Sequence, residues 1–172
     1  MTLNEYQTAA ARTIATDDTD KMRAHALLGM ASEAAELLHA FGAEEDREHI
    51  IKEAGDVAWM VAELCTALGW NLGDVVDDEL GIVIASRLAP IYIEFSVGEI
   101  CGIYQKTYQG HGVDLLDIEC RVSDVINCLR ILAKYIDSSL DEMLTTNIEK
   151  LKARYPDGFD PDRSLHRADG DV

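Results

Sequence analysis

Residues 23–41 read RAHALLGMASEAAELLHAF, and residues 47–68 read REHIIKEAGDVAWMVAELCTAL. Apolar residues recur in both at three- and four-residue intervals, which is the signature of an α-helix and not of a strand. On a wheel of 3.6 residues per turn, Leu27, Ala31, Ala34, Leu38 and Phe41 form one broad apolar face of the first stretch. Met30 and Leu37 extend that face on one side, Leu28 and Ala35 on the other. What is left is a narrow stripe of Gly29, Ser32, Glu33, Glu36 and His39. In the second stretch the polar stripe is Glu53, Asp56 and Glu63, bordered by Trp59 and Met60. A surface helix shows a wider polar face than this. Both helices are therefore expected to be buried on most sides.

The same periodicity runs through nearly the whole chain, and only three prolines interrupt it: Pro90, Pro156 and Pro161. The fold class is all-α, a helical bundle of about seven helices. Helices are expected over residues 3–14, 23–41, 47–68, 72–88, 91–109, 114–136 and 140–155. Gly42 and Gly69 end the second and third of these. Residues 15–21, ATDDTDK, form a polar turn rich in capping side chains. The tail from residue 163 onward is polar and expected to be poorly ordered.

Glu33 and Glu36 stand at i and i+3, as do Glu53 and Asp56. That spacing puts both members of a pair on one helix face. Two such helices side by side aim four negative groups at one point. Unpaired, these carboxylates repel one another, so the arrangement calls for a cation between them. Hard divalent ions such as Mg²⁺ take oxygen ligands of this kind and hold phosphates. A solvated acidic face is the plain alternative for one such pair. Two pairs on consecutive, strongly apolar helices favour a metal cluster. A di-iron bundle needs paired Glu-x-x-His motifs, and only Glu36–His39 has that form. His25, His39, His49, His111 and His166 show no further ligand spacing and are read as incidental.

The formal net charge is −17, which argues against a nucleic-acid backbone or an anionic membrane as the main partner. No stretch approaches the ~20 apolar residues of a membrane span, and no basic-then-apolar leader opens the chain. Cys65, Cys101, Cys120 and Cys128 form no C-x-x-C pair and sit in apolar helical surroundings. They are read as buried free thiols in a reducing compartment. The expectation is a cytoplasmic protein.

The chain also hints at a duplication. Laying residues 52–77 on residues 120–145 matches Asp56 with Asp124, Val57 with Val125, Leu64 with Leu132 and Leu72 with Leu140. Upstream, Glu33 falls on Glu99 and Glu36 on Gly102. The apolar pattern agrees better than the identities do, as a diverged repeat would.

The segments LGMASEAAEL (28–37) and EAGDVAW (53–59), with the closing run NIEKLKARYP (147–156), resemble the MazG-like all-α nucleotide pyrophosphohydrolases. That family carries ExxE, a variable spacer, then ExxD. The similarity spans the opening helix through Trp70 and the closing helix. It implies Mg²⁺-dependent hydrolysis of nucleoside triphosphates between the α- and β-phosphates, with Mn²⁺ as a substitute ion. It further implies that Glu33, Glu36, Glu53 and Asp56 are the metal ligands. Glu33, with Glu36 next, would orient or deprotonate the attacking water. Trp59 either stacks on the base or is a core aromatic.

The chain departs from a short family member in the residues between the ExxD helix and the closing helix, which look like a second, degenerate repeat. There Glu36 is matched by Gly102 and Glu53 by Arg121, and Arg121 is placed to pair with Asp124. Conversely, Glu79, Ile82 and Ser86 stand where the second half has Asn147, Lys150 and Arg154. The organisation expected is residues 1–90 as a repeat with the metal motif, 91–160 as the degenerate repeat, and 161–172 as a tail, the two repeats packed as a pseudo-dimer. One composite site follows: metal ligands from the first half, and Asn147, Lys150, Arg154 and Lys106 reaching the phosphates from the second. For Arg154, a cation favoured at a helix C-terminus is the competing reading. The functional alternative is a catalytically inactive nucleotide- or metal-binding relative, and a third is an acidic interaction module without metal. Self-association is left open.

Overall fold

The computed structural model describes residues 1–76 and 84–166 of the chain. Among these residues there are eight α-helices and no strand. Helix α1 (Leu3–Ala10) starts at a capping box in which Thr2 and Glu5 bond each other's backbone N–H, and it tightens into a 3₁₀ turn at Ala11–Thr13. Asp18 caps α2 (Thr19–Gly42), and Asp46 caps α3 (Arg47–Leu68) through His49 N–H. Gly69, at φ 71°, ends α3 in the left-handed conformation that glycine adopts without strain. Then follow α4 (Leu72–Val75), a 3₁₀ turn at Ser86–Leu88, α5 (Ala89–Thr107), α6 (Leu115–Tyr135) and α7 (Leu140–Arg154). A short α8 (Pro161–Leu165) stands in the segment read as a polar tail, capped by Asp160 with Pro161 in its first turn.

The all-α expectation is met, and α3 has the bounds the sequence predicts. The helix expected over 72–88 is not continuous. Val76 is extended at ψ 112°, and Ala85 is extended at ψ 127°. Glu79 and Ile82 of the repeat comparison lie outside the described residues. Pro90 opens α5 instead of closing the helix before it, because its missing N–H is harmless in a first turn.

Helix α3 is the centre of the molecule. Its apolar residues, among them Val57, Val61 and Leu64, are fully buried. Helix α2 runs antiparallel to it, with the Met60 thioether lying where a side chain on Gly29 would be. Helices α5 and α6 form a second pair, and α5 covers a flank of α2. The outer face of α2 is uncovered, so Leu28, Ala31 and Ala35 are exposed. The apolar stripe of α2 therefore overstated its burial: small alanines satisfy helix propensity without needing a partner. The cysteines also divide, with Cys65 and Cys128 buried, Cys101 half-buried and Cys120 exposed, all as free thiols.

What matters for the site is that α7 lies on α3. Gly55 permits the approach: a Cβ there would stand 2.8 Å from Asn147 Cβ and 3.1 Å from the Met143 carbonyl oxygen. The start of α7 is tied down by Arg47, which donates to the Ile136 and Asp137 carbonyls at 3.0 and 2.9 Å and to Glu142 at 2.7 Å. At the other end Arg12 donates to the Pro156 carbonyl. Helix α1 packs across α3 and α7. Gln7 holds it there, donating to the Trp70 carbonyl at 2.8 Å and accepting from Leu72 N–H at 2.7 Å. No helix among the described residues is long and apolar enough to cross a membrane.

Candidate metal centre

The antiparallel register of α2 and α3 sets Glu33 against Asp56 and Glu36 near Glu53. Glu33, Glu53 and Asp56 each offer a carboxylate oxygen, and the three lie within 4.8 Å of one another. Glu53 and Asp56 are buried, and Glu33 is half-buried. Glu36, expected as an equal fourth member, stands apart from this trio. It is exposed on the rim, where its Oε1 accepts a 3.0 Å bond from Ser32 Oγ. All four carboxylates line one cavity of about 280 Å³, together with Ser32, Trp59, Lys150 and Arg154.

A further part of the wall comes from α7. Lys150 Nζ pairs with Asp56 Oδ2, and Asn147 Nδ2 donates to Asp56 Oδ1 at 2.9 Å. Asn147 sits behind the cavity wall and does not line it, so its place in the site is through Asp56. Arg154 is one helical turn further along, buried, with its guanidinium 6.0 Å from the Tyr155 ring centre. Lys106 is not brought in: it is exposed at the C-terminal end of α5 and does not line the cavity. Helix α5 packs on the flank of α2, which points its last turn elsewhere. Trp59 is half-buried at the cavity edge, and its indole N–H is buried without an acceptor.

The electrostatics show a cluster short of positive charge. Burial pushes the Glu33 carboxyl up to about 7, aided by the charges of Asp56, Glu36 and Glu53. Glu53 is raised by burial and by Asp56, against the pull of His49, whose Nε2 is 3.5 Å away. Asp56 is also raised by burial, although Lys150 and Arg154 draw it down. The donor set is oxygen-only, crowded and poorly solvated. A hard divalent cation such as Mg²⁺ or Mn²⁺ fits it, since the ion would supply the charge that protons otherwise bring.

Several residues here escaped the sequence reading. His25, read as incidental, bonds the buried Glu63 through Nδ1 at 2.9 Å, which raises the imidazole above its ordinary value. The antiparallel register that pairs residues 33 and 56 pairs 25 with 63 as well, and could have found it. His49 is likewise explained by its i, i+4 relation to Glu53. Tyr6 is fully buried, and its hydroxyl lies 2.8 Å from Asn147 Oδ1. Nothing in the local sequence signals that contact, which depends on where α1 docks. In the second half, Arg121 donates to Asp124 at 3.0 Å as its spacing predicts, and Glu99 is exposed.

No family model matches the chain, and comparison with curated proteins and with solved structures finds no match.

Proposed function

We propose that the protein is a Mg²⁺-dependent nucleoside triphosphate pyrophosphohydrolase of the MazG-like kind, cleaving between the α- and β-phosphates to release a nucleoside monophosphate and pyrophosphate. One observation carries this reading: three converging carboxylates and two cations from a distant helix, Lys150 and Arg154, line a single cavity, with Lys150 paired to Asp56. A metal-phosphate ligand needs both kinds of wall. A bare acidic cluster would serve a cation alone, and a bare basic patch would serve any anion.

Glu33, Glu53 and Asp56 would hold the ion, with Glu36 joining from the rim. When bound, the ion screens the phosphates and makes a bound water more acidic. Glu33 is the least buried of the trio and so the one most open to a water in the cavity. It is the group assigned to orient and deprotonate the attacking water, with Glu36 next in line. Lys150 and Arg154 reach the phosphates, which is how a chain of charge −17 holds a polyanion. Trp59 borders the cavity, where its ring could stack on the base. We read the second half as the diverged copy of the first.

The test is a panel of normal and damaged (d)NTPs incubated with Mg²⁺ and assayed for pyrophosphate. Release from at least one, lost on chelation, is the expected result. No product from any, by a folded protein that still binds Mg²⁺, would leave a nucleotide- or metal-binding protein without turnover.

A further inference from the structure

We propose that Tyr6 is a positioning residue for Asp56, acting through the side-chain amide of Asn147. The inference rests on the reading of Glu33, Glu53 and Asp56 as a metal centre, and it gives a role to a helix, α1, that contributes no wall to the cavity.

Tyr6 Oη lies 2.8 Å from Asn147 Oδ1 and 3.3 Å from the Gly55 carbonyl oxygen. A phenol has one proton to give. The Gly55 carbonyl lies within α3 and has a helical partner, so the shorter contact to Asn147 takes it. Asn147 then has its oxygen satisfied on the α1 side and its NH₂ turned to Asp56 Oδ1 at 2.9 Å. The donors run in one direction, from Tyr6 through Asn147 to Asp56. Such a chain polarises the amide and strengthens its bond to the carboxylate. Burial and the nearby Asp56 charge hold the phenol well above its ordinary value, so it stays a donor across the working range of pH.

Removal of the hydroxyl has a specific consequence. Asn147 is 1% exposed, so water cannot replace the lost donor, and a buried amide oxygen without a partner is costly. The amide loses the donor that fixes its orientation, and its bond to Asp56 Oδ1 is weakened while Lys150 stays on Oδ2. The Asp56 oxygens are then less firmly fixed toward Glu33 and Glu53. Gly55 is part of the same device, since only its missing Cβ lets Asn147 come this close.

The experiment is Mn²⁺ binding by calorimetry on the full chain at pH 8, in a double-mutant cycle with Tyr6→Phe and Asn147→Ala. Tyr6→Phe is expected to weaken Mn²⁺ binding by about tenfold, the usual scale for losing a group that orients a ligand. In the Asn147→Ala background the same change is expected to alter binding by less than about twofold, because the relay is already cut. The side-chain amide protons of Asn147 should also shift in the NMR spectrum of Tyr6→Phe. Mn²⁺ affinity within twofold of the parent for Tyr6→Phe overturns the proposal. So does an equal loss in both backgrounds, which would mark general loosening of the fold. Absence of Mn²⁺ binding by the unaltered chain is a different failure: it removes the metal-centre reading and this inference with it.

Discussion

A carboxyl group held near pH 7 by burial, as Glu33 is, makes the fold sensitive to pH in a definite sense. Its value in the folded chain is above the ordinary one near 4.5. Such a group contributes stability below its unfolded value, and that contribution is lost as pH rises through about 7. Glu53, Asp56 and His25 are shifted the same way. In the presence of a chelator the melting temperature is therefore expected to rise as pH is lowered from about 8 to about 5.5. Glu5, Asp18 and Glu142 are drawn below their ordinary values and act in the opposite sense, but only under more acidic conditions. Glu33→Gln isolates the effect. It should raise the melting temperature at pH 8 by a few degrees, flatten the pH dependence, and abolish most of the upward shift caused by Mg²⁺. Calorimetric melts with and without the ion check this; a melting temperature that Glu33→Gln lowers at pH 8 would contradict it. The same substitution is expected to reduce turnover by at least about a hundredfold if Glu33 activates the water.

Among the elements, the contact of α7 with α3 decides the most. Alanine ordinarily stabilises a helix interior by about 0.5–1 kcal/mol relative to glycine. At Gly55 the added carbon would meet Asn147 Cβ at 2.8 Å and a backbone carbonyl at 3.1 Å. Neither can swing aside as the end of a flexible chain could. Gly55→Ala is expected to cost about 1–3 kcal/mol in urea unfolding, the usual penalty of overpacking, and to weaken Mn²⁺ binding by parting Asn147 from Asp56. Gly102 provides the contrast on α5. Among the described residues no atom beyond its own stretch of helix lies within 4 Å of the place its Cβ would take, and Gly102→Ala is expected to stabilise by about 0.5–1 kcal/mol. Equal stabilities for the two variants would remove the close-approach argument.

At the scale of the whole molecule, the site is a joint product of residues far apart in the chain. Lys150→Ala and Arg154→Ala are each expected to weaken nucleotide binding by about tenfold, as loss of a charge-assisted bond to phosphate does. Glu99→Gln, at the position matched to Glu33 in the second half, is expected to leave turnover within about twofold. It is an exposed group on α5, away from the cavity. Steady-state kinetics on the three variants check this, and damage from Glu99→Gln equal to that from Glu36→Gln would count against a single composite site.

Much of this architecture is legible along the chain, and the parts that are not share a cause. Gly69 marks the end of α3 because a left-handed turn is a local matter. Glu33 and Glu36, and Glu53 with Asp56, announce themselves because i, i+3 spacing on one face is a property of a single helix. Arg121 and Asp124 are readable for the same reason. The exposed outer face of α2, the exclusion of Lys106 and the break after Val75 were not readable, since each depends on which neighbour arrives and which does not. Helical periodicity says that a face is apolar; it does not say what covers it. Lys150 was expected at the site, but its pairing with Asp56, and the arrival of Tyr6 behind Asn147, are set by α1 and α7 packing on α3 at Gly55. Those helices are brought together by burial of side chains scattered from one end of the chain to the other, and that long-range packing has no signature in any short window of residues.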